Sequence, residues 1–164
     1  MIIDRFQASQ AEEVAELIKR NLLEITSKYY SPDYVASLID HHSPMQILKK
    51  AKTHYIFVAM ENGKAVGTGS LANFGTPETP SYYGTAIFVA LEFHRKGIGT
   101  QIMRRIEENV LELGADKITV RAAVNARTFY EKLGYTYRDK NEMPDEKGNF
   151  VMDKVFLIKY YSGE

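Results

Sequence analysis

The stretch from Tyr82 to Ala122 limits the possible folds more than any other part of this chain. Tyr82–Leu91 is almost uncharged and reads as a strand at the centre of a sheet, buried on both faces. A basic turn follows, and Gly97 and Gly99 then open a helix expected over Gly97–Leu113, with Ile98, Ile102, Ile106 and Val110 on one stripe. Lys117–Ala122 is a second strand. Strand, helix and strand in this order favour a parallel pair joined by a right-handed crossover.

The flanking sequence supplies strands that can only extend such a pair in the antiparallel sense. Ile2–Phe6 is a short opening strand. Ser9 with Glu12 reads as a capping box for a helix running to about Ile25, with Val14, Leu17, Ile18 and Leu22 as its apolar stripe. Ser31-Pro32 and Ser43-Pro44 each place a capping serine before a proline at the first helical position, giving short helices over Pro32–His41 and Pro44–Lys50. Tyr55–Met60 and Ala65–Ala72 are strands joined by a hairpin at Asn62-Gly63. Phe74–Ser81 is a loop. Asn125–Leu133 is a helix stopped by Gly134, with Asn125 as its N-cap by residue type. Tyr135–Arg138 and Val151–Tyr160 are strands around a polar loop. The class is mixed α/β (α+β) in a single domain spanning residues 1–164: a twisted, mostly antiparallel sheet with helices on both faces.

Composition removes whole classes of function. Acidic and basic residues balance at 21 each, so nothing electrostatic calls for nucleic acid or a membrane surface. No cysteine is present, which excludes disulfides, thiolate metal sites and a cysteine nucleophile. His41 and His42 are adjacent and diverge on a helix, with no third ligand at a fitting spacing, so no metal is expected. The N-terminus lacks a basic start followed by an apolar run, and no stretch approaches the ~18 residues of a membrane span. The expectation is a cytoplasmic monomer or homodimer.

The turn His94-Arg95-Lys96-Gly97-Ile98-Gly99-Thr100 carries the chemistry. A helix N-terminus offers unpaired N–H groups and the positive end of a dipole. Glycine lets an anion approach the backbone, and Arg95 and Lys96 add charge, so the turn suits a pyrophosphate. A tight turn with glycines used for packing reads the same residues equally well. Neither G-x-x-x-x-G-K-[ST] nor G-x-G-x-x-G occurs after a strand, which sets aside the P-loop and the dinucleotide fold.

His94–Gly99 resembles the Q/R-x-x-G-x-G/A signature of the GNAT (GCN5-related) N-acetyltransferases. Asn125-Ala126-Arg127-Thr128-Phe129-Tyr130-Glu131-Lys132-Leu133-Gly134-Tyr135 is similar to that family's N-A-x-x-F-Y-x-x-x-G-F segment. The resemblance is close over Tyr82–Tyr137 and departs at His94, where the family has Gln or Arg. It implies acetyl-CoA as cosubstrate, with its pyrophosphate on the backbone of Arg95, Lys96, Gly97, Ile98, Gly99 and Thr100. The pantetheine arm would lie along Phe88 and Val89, between central strands that splay apart, and Asn125 and Phe129 would also contact the cosubstrate.

Tyr130 would be the acid that protonates the departing thiolate, although its helical spacing with Ala126, Phe129 and Leu133 also suits a core aromatic. The position where some relatives carry a basic glutamate matches Tyr83. No carboxylate stands between Glu78 and Glu92, so the acceptor's proton would leave through water ordered by Tyr83 or Thr85, or through Glu24 or His41. Tyr29 and Tyr30 are candidate walls for an acceptor, which would be a small-molecule or peptide amine. The competing function is a non-catalytic acyl-CoA-binding or sensing module of the same fold.

Overall fold

A computed structural model describes residues 1–156. In chain order the elements are β1 (Ile2–Arg5), α1 (Ala11–Glu24), α2 (Pro32–His41), α3 (Pro44–Lys50), β2 (Tyr55–Glu61) and β3 (Lys64–Asn73). They continue with β4 (Tyr82–Val89), α4 (Ile98–Glu112), β5 (Lys117–Ala122), α5 (Arg127–Lys132), β6 (Thr136–Tyr137) and β7 (Phe150–Val155). Among the described residues the strands form one seven-stranded sheet in the order β1-β2-β3-β4-β5-β7-β6. β4 and β5 pair in parallel, while β1 with β2, β5 with β7 and β6 with β7 pair antiparallel, which is the mixed sheet expected. The end of the strand expected over Val151–Tyr160 lies outside the described residues.

Local chemistry explains most boundaries. The Ser31 and Ser43 hydroxyls accept from the N–H groups of Tyr34 (3.2 Å) and Gln46 (3.3 Å), so both predicted caps form. Asn62 and Gly63 take φ of 51° and 77°, the left-handed pair that a two-residue hairpin requires. Two expected caps are corrected. Ala8–Gln10 wind into a short 3-10 turn, so Ser9 lies inside it and α1 begins at Ala11. The extended residue before that turn is Gln7, whose N–H donates to Gln10 Oε1 at 2.8 Å. Val124–Ala126 form another 3-10 turn, which moves the N-cap of α5 to Ala126 and leaves Asn125 without a capping bond. β4 is central, but of its residues only Gly84 is fully buried, so burial on both faces does not hold.

Contacts divide the chain into two compact units: Met1–Ser70 with Ala86–Arg105, and Leu71–Thr85 with Ile106 onward. Within the first, Ile56 and Val58 of β2 join Val14, Leu17, Ile18, Leu22, Val35 and Ile47 in one core under α1, α2 and α3. Phe57, between them, faces the opposite side, where the Arg105 guanidinium of α4 lies 4.7 Å from its ring centre. α4 approaches β3 closely over Gly67, where an added Cβ would stand 2.7 Å from Ile102 Cδ1. Helices therefore cover both faces there. In the second unit Ile106, Val110, Ile118, Val120 and Met152 supply fully buried apolar side chains. Among the described residues no helix is long and apolar enough to cross a membrane.

Candidate functional site

β4 pairs with β5 only over its first half. Pairing with β5 is recorded at Tyr83↔Thr119 and Gly84↔Val120, and Ala86 then takes a left-handed φ of 54°. A non-glycine residue in that region breaks a ladder and stores strain. Beyond it lie Phe88 and Val89, both half-buried.

The end of β4 is fastened by side chains. The Val89 carbonyl accepts from Asn21 Nδ2 of α1 at 3.0 Å and from His94 Nε2 at 2.8 Å, which uses both of its lone pairs. Asn21 is itself buried and also donates to the Leu17 carbonyl. His94 thus plays a structural part. Because its partner is a carbonyl, Nε2 carries the proton, and the ring ties the basic turn to the strand. Arg20 pairs with Glu92 in the 3-10 turn Leu91–Phe93. The Glu92 carboxyl is held low by a hydrogen bond to its own backbone N–H and by Arg20.

The turn itself is left-handed at Arg95 (φ 64°) and Gly97 (φ 80°). The Gln101 N–H donates to the Gly97 carbonyl at 3.1 Å, so the N–H groups of Ile98, Gly99 and Thr100 precede the first helical donor. Arg95 and Lys96 are exposed beside them, and Lys96 Nζ sits 5.1 Å from the Phe93 ring centre. Left-handed turn, helix N–H groups without a helical acceptor and two cations make a donor surface suited to a pyrophosphate.

The remaining predicted residues belong to the second unit. Tyr130 is buried on α5, with its ring edge-on to Phe129 (5.0 Å) and Tyr135 (5.5 Å). Burial alone pushes its phenol well above the ordinary range, with no hydrogen bond or neighbouring charge contributing. Tyr135 differs: its hydroxyl donates to Glu107 Oε2 at 2.6 Å, and Lys154 Nζ bonds the other oxygen at 3.0 Å. Asn125 is exposed and Phe129 half-buried.

Tyr83 ends a polar row running through Thr119 and Asp153. Thr119 Oγ1 donates to Asp153 Oδ1 at 2.6 Å, and Arg138 grips both Asp153 oxygens at 2.8 and 3.0 Å. Burial pushes the Asp153 carboxyl up, but the hydrogen bonds from Arg138 and Thr119 outweigh it and hold the group low. Arg138 also donates to Thr119 Oγ1 at 3.2 Å, and the Tyr83 ring lies 4.8 Å from Arg121 and 5.2 Å from Phe74.

The early helices sort the other candidates. Glu24 pairs with Arg20 at 3.5 Å. His41 is exposed, with Nδ1 bonded to the Ser37 carbonyl at 2.6 Å. His42 is half-buried, its Nδ1 donating to the Leu38 carbonyl at 2.7 Å and its ring edge-on to Phe88 at 6.0 Å. Tyr30 packs on Tyr34, and Tyr29 is exposed. Sequence reasoning missed Asn21, although a lone amide on an apolar helical stripe was a readable signal.

The family description "Acetyltransferase (GNAT) domain" matches residues 26–151. The fold is similar to the PaiA N-acetyltransferase of Thermoplasma acidophilum in complex with coenzyme A: TM-score 0.81, 16% identity, covering 94% of this chain and 98% of that one. A GCN5-related N-acetyltransferase from Rhodopseudomonas palustris gives TM-score 0.79 at 19% identity, covering 94% and 95%. An aminoglycoside 6'-N-acetyltransferase complexed with coenzyme A gives 0.70 at 16%, covering 94% and 97%. At these identities the likeness establishes the fold. No curated protein matches the chain.

Proposed function

The chain belongs to the GNAT acetyltransferase domain family, and on that premise we propose that it moves the acetyl group of acetyl-CoA onto a primary amine, by direct attack with both substrates bound. The observation that carries this reading is the left-handed turn Arg95–Gly97 opening α4 beside two exposed cations. The N–H groups of Ile98, Gly99 and Thr100 hold the pyrophosphate, with Arg95 and Lys96 adding charge. The arm of the cosubstrate follows Phe88 and Val89.

In the reaction the amine nitrogen bonds to the thioester carbonyl carbon and the carbon–sulfur bond breaks. Tyr130 supplies the proton that the sulfur takes up. Its buried phenol stays protonated across the neutral range, and no hydrogen bond among the described residues engages that proton, which supports a role beyond packing. The amine's own proton leaves through water, which Tyr83 helps to order.

Calorimetry with acetyl-CoA, followed by release of free CoA across a panel of amines, tests the proposal. Micromolar binding together with acetylation of at least one amine class is the expected result. Binding without acetyl transfer to any amine identifies an acyl-CoA-sensing module instead, and absence of binding removes both readings.

A further inference from the structure

The first unit contains a half-buried imidazole that the proposed acetyl transfer does not yet use. His42 is the C-cap residue that follows α2, and its Nδ1 donates to the Leu38 carbonyl at 2.7 Å, which fixes both the ring and its tautomer. Nε2 is then left with a lone pair that has no partner among the described residues. The ring stands edge-on to Phe88, on the segment of β4 assigned above to the cosubstrate.

We propose that His42 Nε2 accepts a hydrogen bond from the N–H of the acceptor amine and orients its nitrogen; this rests on the acetyl-transfer reading above. The surroundings leave little else for that lone pair to do. The charged and titratable groups that face the ring are Lys50 of α3 and His41 of its own helix. Lys50 Nζ donates to the His41 carbonyl at 2.9 Å, and His41 Nδ1 is bonded to the Ser37 carbonyl. No carboxylate acts on the ring. Burial first, then Lys50 and His41, hold the imidazole down to about 4 against the pull of the Leu38 carbonyl. It is therefore neutral, and an acceptor, throughout the neutral range. A site built this way selects an amine by its N–H donors rather than by its positive charge.

The test uses His42→Phe and His42→Gln, because they separate acceptor from packing. Phe keeps a flat ring against Phe88 and removes Nε2, whereas Gln restores a carbonyl acceptor at similar reach. With n-butylamine as the acceptor probe, kcat/KM should fall about 10- to 100-fold in His42→Phe, the scale of leaving a buried N–H donor unpartnered, and recover in part in His42→Gln. The Kd for acetyl-CoA should stay within twofold of wild type in both. Nitrogen NMR of the His42 ring, with and without CoA, should show Nε2 responding to n-butylamine but not to N,N,N-trimethylbutylammonium, which has no N–H. Equal responses to both amines, no response to n-butylamine, higher activity in Phe than in Gln, or loss of acetyl-CoA affinity in both variants would each overturn the proposal. Failure of the wild type to bind acetyl-CoA would instead sink the acetyl-transfer reading, and the NMR measurement on the free protein would still decide whether Nε2 receives an amine.

Discussion

Acidification should destabilise this protein through His42 by an amount that the structure lets one work out. The imidazole falls from 6.5 to about 4 on folding, chiefly because burial disfavours its charged form. The unfolded chain therefore takes up this proton first as the pH drops. Stability is fully present above about pH 6.5, declines through the window between the two values, and has lost the whole contribution below about pH 4. At ~1.4 kcal/mol for each pH unit between the two values, the total is about 3 kcal/mol. His54 is pushed down as well, by burial and then by Lys50, and acts in the same direction. Comparison with His42→Phe, which retains His54, isolates His42. Urea unfolding of both proteins at pH 7.5, 5.5, 4.5 and 3.5 should show wild type losing about 3 kcal/mol more than the variant across the series. Stability curves that stay parallel within ~0.5 kcal/mol would show that His42 is not held neutral by its surroundings.

Gly97→Val should abolish acetyl-CoA binding by calorimetry while circular dichroism remains that of a folded protein, since φ of 80° excludes a β-branched residue and the space around an added Cβ is open. Tyr130→Phe should keep acetyl-CoA affinity and lower turnover by ~10²-fold in an assay limited by chemistry. Tyr83→Phe should cost less turnover than Tyr130→Phe, and kcat/KM in wild type should keep rising with pH toward the pKa of the bound amine; a plateau near pH 6 with near-complete loss in Tyr83→Phe would make Tyr83 essential. Gly67→Ala should destabilise by ~1–3 kcal/mol in urea titrations, because its Cβ would meet Ile102 Cδ1 at 2.7 Å and Ile98 Cγ2 at 3.1 Å.

Features written in local periodicity and turn chemistry were legible in the sequence. The stripe of Ile98, Ile102, Ile106 and Val110 gave α4, Asn62-Gly63 gave the hairpin, and the serine–proline pairs gave α2 and α3, because each depends on residues close in sequence. Features that depend on distant partners were not legible. His94 looks like a defect in a phosphate motif until Val89 is seen accepting from it. His41 and His42 are indistinguishable by type, yet only His42 meets Phe88, a residue far along the chain. Asn125 looked like an N-cap because residue type says nothing of the preceding backbone, and a 3-10 turn displaced the cap by one residue. The left-handed Ala86 had no sequence signal at all, since alanine carries no preference for that region.

Ala86 explains why Asn21 and His94 are placed where they are. A non-glycine residue held at φ 54° costs of order 1 kcal/mol or more, and it lies just past the residues of β4 that pair with β5. A half-buried carbonyl at Val89 left without donors would add a penalty of about 1–3 kcal/mol. Two side chains remove that penalty from opposite directions in sequence: Asn21 from α1 and His94 from the turn that follows the strand. The end of β4 is thus fastened by hydrogen bonds, and the same His94 that satisfies Val89 sets the starting position of Arg95 and the left-handed turn. The departure from the family signature at His94 is consistent with function for this reason. In the proposed site the phosphate-facing donors would come from the backbone, and the side chain at that position anchors the backbone that presents them.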